Sequence, residues 1–95
     1  MSRFSLFSWW KKRARPPHVI QYTRHGCHSC DEAWTLLERY QRRYGFRLEA
    51  VDVDGDPALA ALHGNWVPVV TVNGKVRFRG RVNEVLLKRV LDASS

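Results

Sequence analysis

The hydrophobic period of the chain changes at Gly26, and this change limits the available folds more than composition does. Before it, His18 to Tyr22 (HVIQY) is a short β-branched and aromatic run ending at Thr23, which predicts a strand. After it, Cys30, Ala33, Trp34, Leu37, Tyr40, Gln41 and Tyr44 recur at helical spacing, which predicts a helix from Cys27 to about Tyr44, stopped by Gly45. Arg47 to Asp54 (RLEAVDVD) reads as the next strand. A strand, a helix and a strand in succession need a crossover, and so give a parallel pair. Asp56-Pro57 offers an N-cap with proline in the first helical position and opens a short helix over Ala58 to His63. Val67 to Val72 and Lys75 to Arg79 flank Asn73-Gly74, a two-residue hairpin signal, and Asn83 caps a last helix through Val85, Leu86, Leu87, Val90 and Leu91. The order β-α-β-α-β-β-α predicts an α/β fold: a mixed four-stranded sheet with helices on both faces. No internal repeat or low-complexity run interrupts it.

Ninety-five residues make one small domain, and a chain of this size buries only about 60% of its unfolded surface. At 44% apolar residues it is too hydrophobic to be wholly disordered, and no apolar run approaches the roughly 18 residues of a membrane-spanning helix. The formal charge of +7 is unevenly spread: residues 1–17 hold five basic side chains and no acid, and residues 18–95 carry only +2. The domain itself is therefore nearly balanced, which removes the case for specific nucleic-acid binding on charge alone. Residues 1–17 (MSRFSLFSWWKKRARPP) do not fit a secretory signal, since the charges follow the apolar stretch. They read as a disordered basic, aromatic tail, with Pro16-Pro17 stiffening its junction to a domain over 18–95. Tryptophan beside lysine and arginine makes an anionic membrane surface a candidate partner for this tail. The expected location is the cytoplasm, with attachment to the inner membrane as an option, and the expected state is a monomer.

Cys27-His28-Ser29-Cys30 stands where the first strand ends and the first helix begins. The two cysteines are too close to staple a secreted scaffold. A thiol on a first helical turn faces unpaired backbone N–H groups and the positive end of the helix dipole, which stabilise a thiolate. Arg24, His25 and His28 add positive or protonatable groups, and Asp31 and Glu32 oppose them. Cys30, one turn on, can attack a mixed disulfide held on Cys27. Cys27 is then the exposed nucleophile and Cys30 the buried resolving thiol. Two other readings compete: inert core cysteines, or a zinc site completed by His25, His28 or His63. No second paired motif stands at zinc spacing, so no metal site is assigned.

A second signal is Val67-Pro68 within a run that otherwise reads as a buried strand. Proline there argues for an edge or loop position, or for a cis bond in a turn that feeds the strand. In the second case the backbone of Val67 is left free to pair with an extended substrate.

Together these residues resemble the glutaredoxin branch of the thioredoxin superfamily over residues 18–92. The resemblance is carried by Tyr22-Thr23-Arg24-His25-Gly26-Cys27-His28-Ser29-Cys30, Val51-Asp52-Val53-Asp54, Val67-Pro68 and Asn73-Gly74. The C-H-x-C site followed by Asp31-Glu32-Ala33 is similar to that of small bacterial glutaredoxin-like proteins. The resemblance implies a thioredoxin-like fold, Cys27 as attacking thiolate, Pro68 as cis, and Arg24 as a basic residue near the thiolate and a glutathione carboxylate. His28, Trp66, Val67 and Pro68 join Arg24 as candidate substrate-binding residues. Glutathione is not required: Arg79-Gly80-Arg81-Val82-Asn83 replaces the usual Gly-Gly and acidic residues, and Trp66 replaces the usual threonine. His28 stands in place of the usual proline or glycine.

The expected function is thiol–disulfide exchange with a protein or small-molecule disulfide. An iron–sulfur or metal carrier using the same cysteines, and a non-catalytic thioredoxin-fold binding module, are the alternatives. Simple alternation also predicts that Lys75, Arg77, Arg79 and Arg81 share one face of the last strand, opposite Val76 and Phe78. An edge kept soluble by charge explains such a stripe, and docking of an acidic partner is the other reading. Asp52, Asp54 and Asp56 fail as a calcium loop, because the glycine is misplaced and His63 occupies the bidentate glutamate position.

Overall fold

Strand β1 (His18–Thr23) lies inside the sheet, paired on both edges, and every other strand takes its place from it. In the computed structural model, which describes residues 16–94, there follow α1 (His28–Tyr44), β2 (Arg47–Asp52), α2 (Pro57–His63), β3 (Val69–Val72), β4 (Lys75–Arg79) and α3 (Glu84–Ser94). The sheet order is β2-β1-β3-β4. The β1–β2 pair is parallel, as the crossover through α1 requires, and the β1–β3 and β3–β4 pairs are antiparallel. The mixed four-stranded α/β architecture expected from the sequence is the one observed.

Alternate residues of β1 face opposite ways. Val19 packs with Val70, Val72 and Phe78 of the sheet against Leu37 and Tyr40 of α1 and Leu87 and Leu91 of α3, and Phe46 closes this core. Helix α1 turns Cys30, Ala33, Leu37 and Tyr40 inward, one stripe of a 3.6-residue repeat. It ends at Gly45, whose φ of 71° is left-handed and lets its N–H reach the Gln41 carbonyl at 2.7 Å. The Tyr40 hydroxyl donates to Glu84 at 2.8 Å and the Tyr44 hydroxyl donates to Asp92, which ties α1 to α3. On the opposite face, the Tyr22 ring stacks on His63 of α2 at 4.5 Å between centroids.

Two strand boundaries and one register differ from expectation, each for a local reason. The second strand stops at Asp52, because the Asp52 carboxylate accepts the Asp54 N–H at 2.9 Å and folds Val53–Gly55 into a 3-10 turn. The third begins at Val69 after a 3-10 turn over Gly64–Trp66, since Pro68 has no N–H for the ladder. The Val67–Pro68 peptide bond is cis. In β4 the partners shift from Val70↔Phe78 to Thr71↔Val76, leaving Arg77 as an extra residue. This bulge corrects the predicted stripe, because Lys75 and Arg79 now fall on opposite faces, as do Val76 and Phe78.

Asn73 (φ 52°) and Gly74 (φ 83°) close the β3–β4 hairpin with both central residues left-handed, the type I′ geometry. The Asn73 side chain also accepts the His18 N–H at 2.9 Å, joining the hairpin to the start of β1. Pro17 is buried and its carbonyl accepts from Arg47 N–H at 3.0 Å, so the β1–β2 pairing already includes it. The tail and membrane-surface expectations fall on residues 1–15, outside the described residues. Among the described residues, no helix is long and apolar enough to cross a membrane.

Candidate functional site: a disulfide at a helix start

Cys27 is the N-cap of α1. Its backbone is extended (φ −98°, ψ 105°) and its sulfur accepts the Cys30 N–H at 3.2 Å, with Ser29 Oγ at 3.8 Å. A side chain that caps in this way points at the unpaired N–H groups of the first turn, where a negative charge is favoured. Gly26, with φ at 73°, provides the turn that brings the chain from β1 into this position. Cys30 lies one turn along α1 on the inward stripe and is 1% exposed, whereas Cys27 is half-buried. The two are joined as a disulfide, with Cα atoms 5.2 Å apart. One sulfur therefore belongs to the surface and the other to the core.

Val67-Pro68 stands at the same end of the sheet. Tyr22 faces Val69, so the next position places Pro68 beside Thr23, where β1 gives way to the Cys27 loop. Pro68 is buried, Val67 half-buried, and Trp66 is 57% exposed. Gly80 N–H donates to the carbonyls of both Trp66 (2.8 Å) and Pro68 (2.9 Å). Between them, the backbone N–H and carbonyl of Val67 have no partner among the described residues.

Arg24 takes a different direction from the one the resemblance implies. Its Nε and Nη2 donate to the two carboxylate oxygens of Asp54, both at 3.0 Å, and Nη1 donates to the Gly64 carbonyl at 3.1 Å. The hydrogen bonds and the charge of this fork raise the Arg24 pKa and hold the Asp54 carboxyl below its ordinary range. A Cβ on Gly64 would meet Arg24 Nη2 at 2.8 Å, so a larger residue there would displace the guanidinium from this position. His28 projects into solvent and faces Glu32 at 3.7 Å. His25 is likewise exposed and faces Asp52 at 3.6 Å, and His63 is buried against Tyr22. The three histidines weighed as zinc ligands thus point to separate partners. Among the described residues, no three His, Cys, Asp or Glu side chains form a group able to hold a metal.

Sequence reasoning missed Gln21. It is 1% exposed, on the β1 face turned toward α1, and its Nε2 donates to the Cys30 carbonyl at 2.9 Å. Its Oε1 is buried without a partner. The available signal was a polar residue two positions after Val19, on the inward side of a central strand.

The match to known proteins covers this whole unit. A model of the glutaredoxin-like domain family (DUF836) matches residues 18–92. The uncharacterized protein Rv0508 of Mycobacterium tuberculosis is 32% identical over 77 residues, covering 76% of this chain and 79% of that protein. The solution structure of protein Ne2328 from Nitrosomonas europaea superposes with a TM-score of 0.70 at 28% identity, covering 80% of this chain and 92% of that one. A thioredoxin from Fasciola hepatica shares the fold, with a TM-score of 0.61 at 19% identity over 95% of this chain and 91% of its own. A disulfide at the start of the first helix, a sheet in the order β2-β1-β3-β4 and this span of similarity place the chain in the glutaredoxin-like domain (DUF836) family, within the thioredoxin-like fold.

Proposed function

We propose that the protein is a thiol–disulfide oxidoreductase acting through Cys27 and Cys30. The observation that carries this reading is the asymmetric pair: one sulfur capping a helix at the surface, the other buried one turn away and already bonded to it. In the reducing direction, the Cys27 thiolate attacks one sulfur of a substrate disulfide and expels the other as a thiolate, which takes up a proton. The Cys30 thiol loses its proton and attacks Cys27 Sγ. The 27–30 disulfide forms and the second substrate thiol leaves. Two electrons pass from the cysteine pair to the substrate, and a thiol or dithiol reductant must return them. Capping by the first-turn N–H groups favours the Cys27 thiolate both as attacking and as leaving group.

The partner is a protein or small-molecule disulfide. An extended segment of it pairs with the free N–H and carbonyl of Val67, with the exposed indole of Trp66 flanking and Pro68 beneath. His28, on the open side of the first turn, contacts the same segment. Glutathione disulfide serves in this scheme as one small disulfide among others, and glutathione is not a required cofactor, because Arg24 is engaged by Asp54 and Gly64. The reaction requires no metal.

Replacing Cys30 with Ser tests the assignment. The variant is expected to accumulate a mixed disulfide on Cys27 when mixed with a disulfide-bonded protein, visible by mass and reversed by dithiothreitol, whereas Cys27→Ser forms none. Equal trapping by both variants, or by neither, overturns the roles.

A further inference from the structure

A cleft of about 620 Å³ opens beside the disulfide, between the first turns of α1 and the edge strand β2. His25 and Gly26, the two residues before Cys27, form its rim. We infer that this cleft, floored by Gln21 and walled by Asp31, Asp52 and Trp34, binds a lysine or arginine side chain of a polypeptide whose disulfide is presented to Cys27. The inference rests on the oxidoreductase reading and names its substrate class.

The floor sets the first requirement. Gln21 Nε2 is committed to the Cys30 carbonyl, which fixes the amide orientation and leaves Oε1 as a buried acceptor without a partner. An amide oxygen can only accept, so a group that reaches it from the cleft, once a small shift of the side chain uncovers it, brings a donor. A buried acceptor left unpaired is costly, which makes its satisfaction by a ligand favourable.

The walls set the sign. Asp31 and Asp52 contribute two carboxylates. The Asp31 side chain has no partner among the described residues, although its carboxylate also suits the start of α1. Asp52 faces the exposed ring of His25 at 3.6 Å, caps Asp54 N–H and adds its charge to that of Asp54 on Arg24. The guanidinium of Arg24, also on the lining, is already neutralised by its fork on Asp54. An anion entering here meets two carboxylates, and an apolar group leaves the floor unpaired.

Shape favours a cation on an alkyl stem. The half-buried Trp34 gives the lining an aromatic surface, Ala50 takes little space on the β2 wall, and a methylene stem packs where the polar head need not. The rim at Gly26 then tethers this side chain within a few residues of the reacting sulfur, which identifies a polypeptide rather than a free amine as the occupant.

The test uses the full chain and three peptides with one cysteine in mixed disulfide with a chromogenic thiol, identical except for Lys, Gln or Glu two residues from the cysteine. The lysine peptide is expected to show kcat/KM about tenfold above the glutamine peptide, the size that a cation–π contact and a part-exposed ion pair supply together. The glutamate peptide is expected to fall below both. The Asp31→Asn, Asp52→Asn double variant removes both charges while its amide at position 52 keeps an oxygen to cap Asp54 N–H. In it, the lysine-to-glutamine ratio is expected to collapse toward one. Titration with N-acetyl-lysine amide, followed by NMR, is expected to move the Trp34 indole N–H and the Gln21 side-chain amide. Equal rates for the three peptides, or a lysine preference that survives the double variant, overturn the inference while leaving the oxidoreductase reading intact. Binding of free spermidine at the Trp34 signal with equal peptide rates overturns the polypeptide assignment. If none of the peptides reacts, the oxidoreductase reading fails, and the NMR titration alone decides the cleft: movement at Trp34 and Gln21 supports cation binding and its absence overturns it.

Discussion

Arg24 joins three parts of the chain with one guanidinium: the loop leading to Cys27, the turn after β2 and the end of α2. Its partners lie 30 and 40 residues away, out of view of the local motif on which the resemblance implied a ligand contact instead. The fork has a pH signature. Asp54 titrates below its ordinary range because Arg24 donates to the charged form, so the unfolded chain binds its proton first as the pH falls. The stabilisation is therefore complete above the unfolded value near pH 3.9 and is lost as the pH drops through the depressed folded value. Asp54→Asn should flatten this part of the acid limb in urea midpoints measured from pH 6 to pH 2. An unchanged limb would show that the fork contributes nothing to stability. The unequal burial of the two cysteines was legible at this scale, since a C-x-x-C at a strand-to-helix junction already separates an outer sulfur from an inner one. Gln21 was not, because only the packing of α1 on β1 shows that its amide meets Cys30.

At the scale of elements, the strand, helix and hairpin order followed from periodicity and turn residues alone. Asn73-Gly74 demanded a two-residue turn, and the left-handed dihedrals at both positions show why those residue types stand there. Gly74→Ala places a Cβ in a left-handed conformation and should cost about 1 kcal/mol by urea denaturation. Asn73→Gly keeps the turn but removes the acceptor for His18 N–H, so it should also destabilise, by about 1 kcal/mol. A neutral result for both would contradict the type I′ account. Hidden from the sequence were the bulge at Arg77 and the early end of β2. Alternation reads the same with or without an extra residue in the partner strand, and the Asp52 cap on Asp54 competes with a strand that propensity alone would extend. At the other pH extreme, the Tyr40 and Tyr44 hydroxyls hold α3 on α1. Their pKa values are raised by hydrogen bonding to Glu84 and Asp92, so this contribution is complete below the ordinary tyrosine value near 10 and is lost as the pH rises through the higher folded values. Tyr40→Phe should therefore lose less stability on going from pH 9 to pH 12 than the wild type.

For the whole molecule, the charge of +7 proved a weaker guide than two cysteines. Residues 1–17 carry +5 of the net +7, and the domain that follows, at +2, is close to neutral. Within it, the sheet end that carries Cys27, Val67 and Pro68 gathers a half-buried sulfur, a free backbone edge and an exposed tryptophan into one surface, and the acidic cleft opens beside them. The central claim is that Cys27 and Cys30 exchange two electrons reversibly. The direct test equilibrates the full-length protein in glutathione buffers of graded potential, quenches with an alkylating agent and reads the alkylated fraction by mass. The account predicts one reversible two-electron transition, both cysteines changing together, at a midpoint between about −120 and −270 mV, the span of familiar dithiol oxidoreductases. A pair that remains in one state across that range, or cysteines that titrate independently, would contradict it.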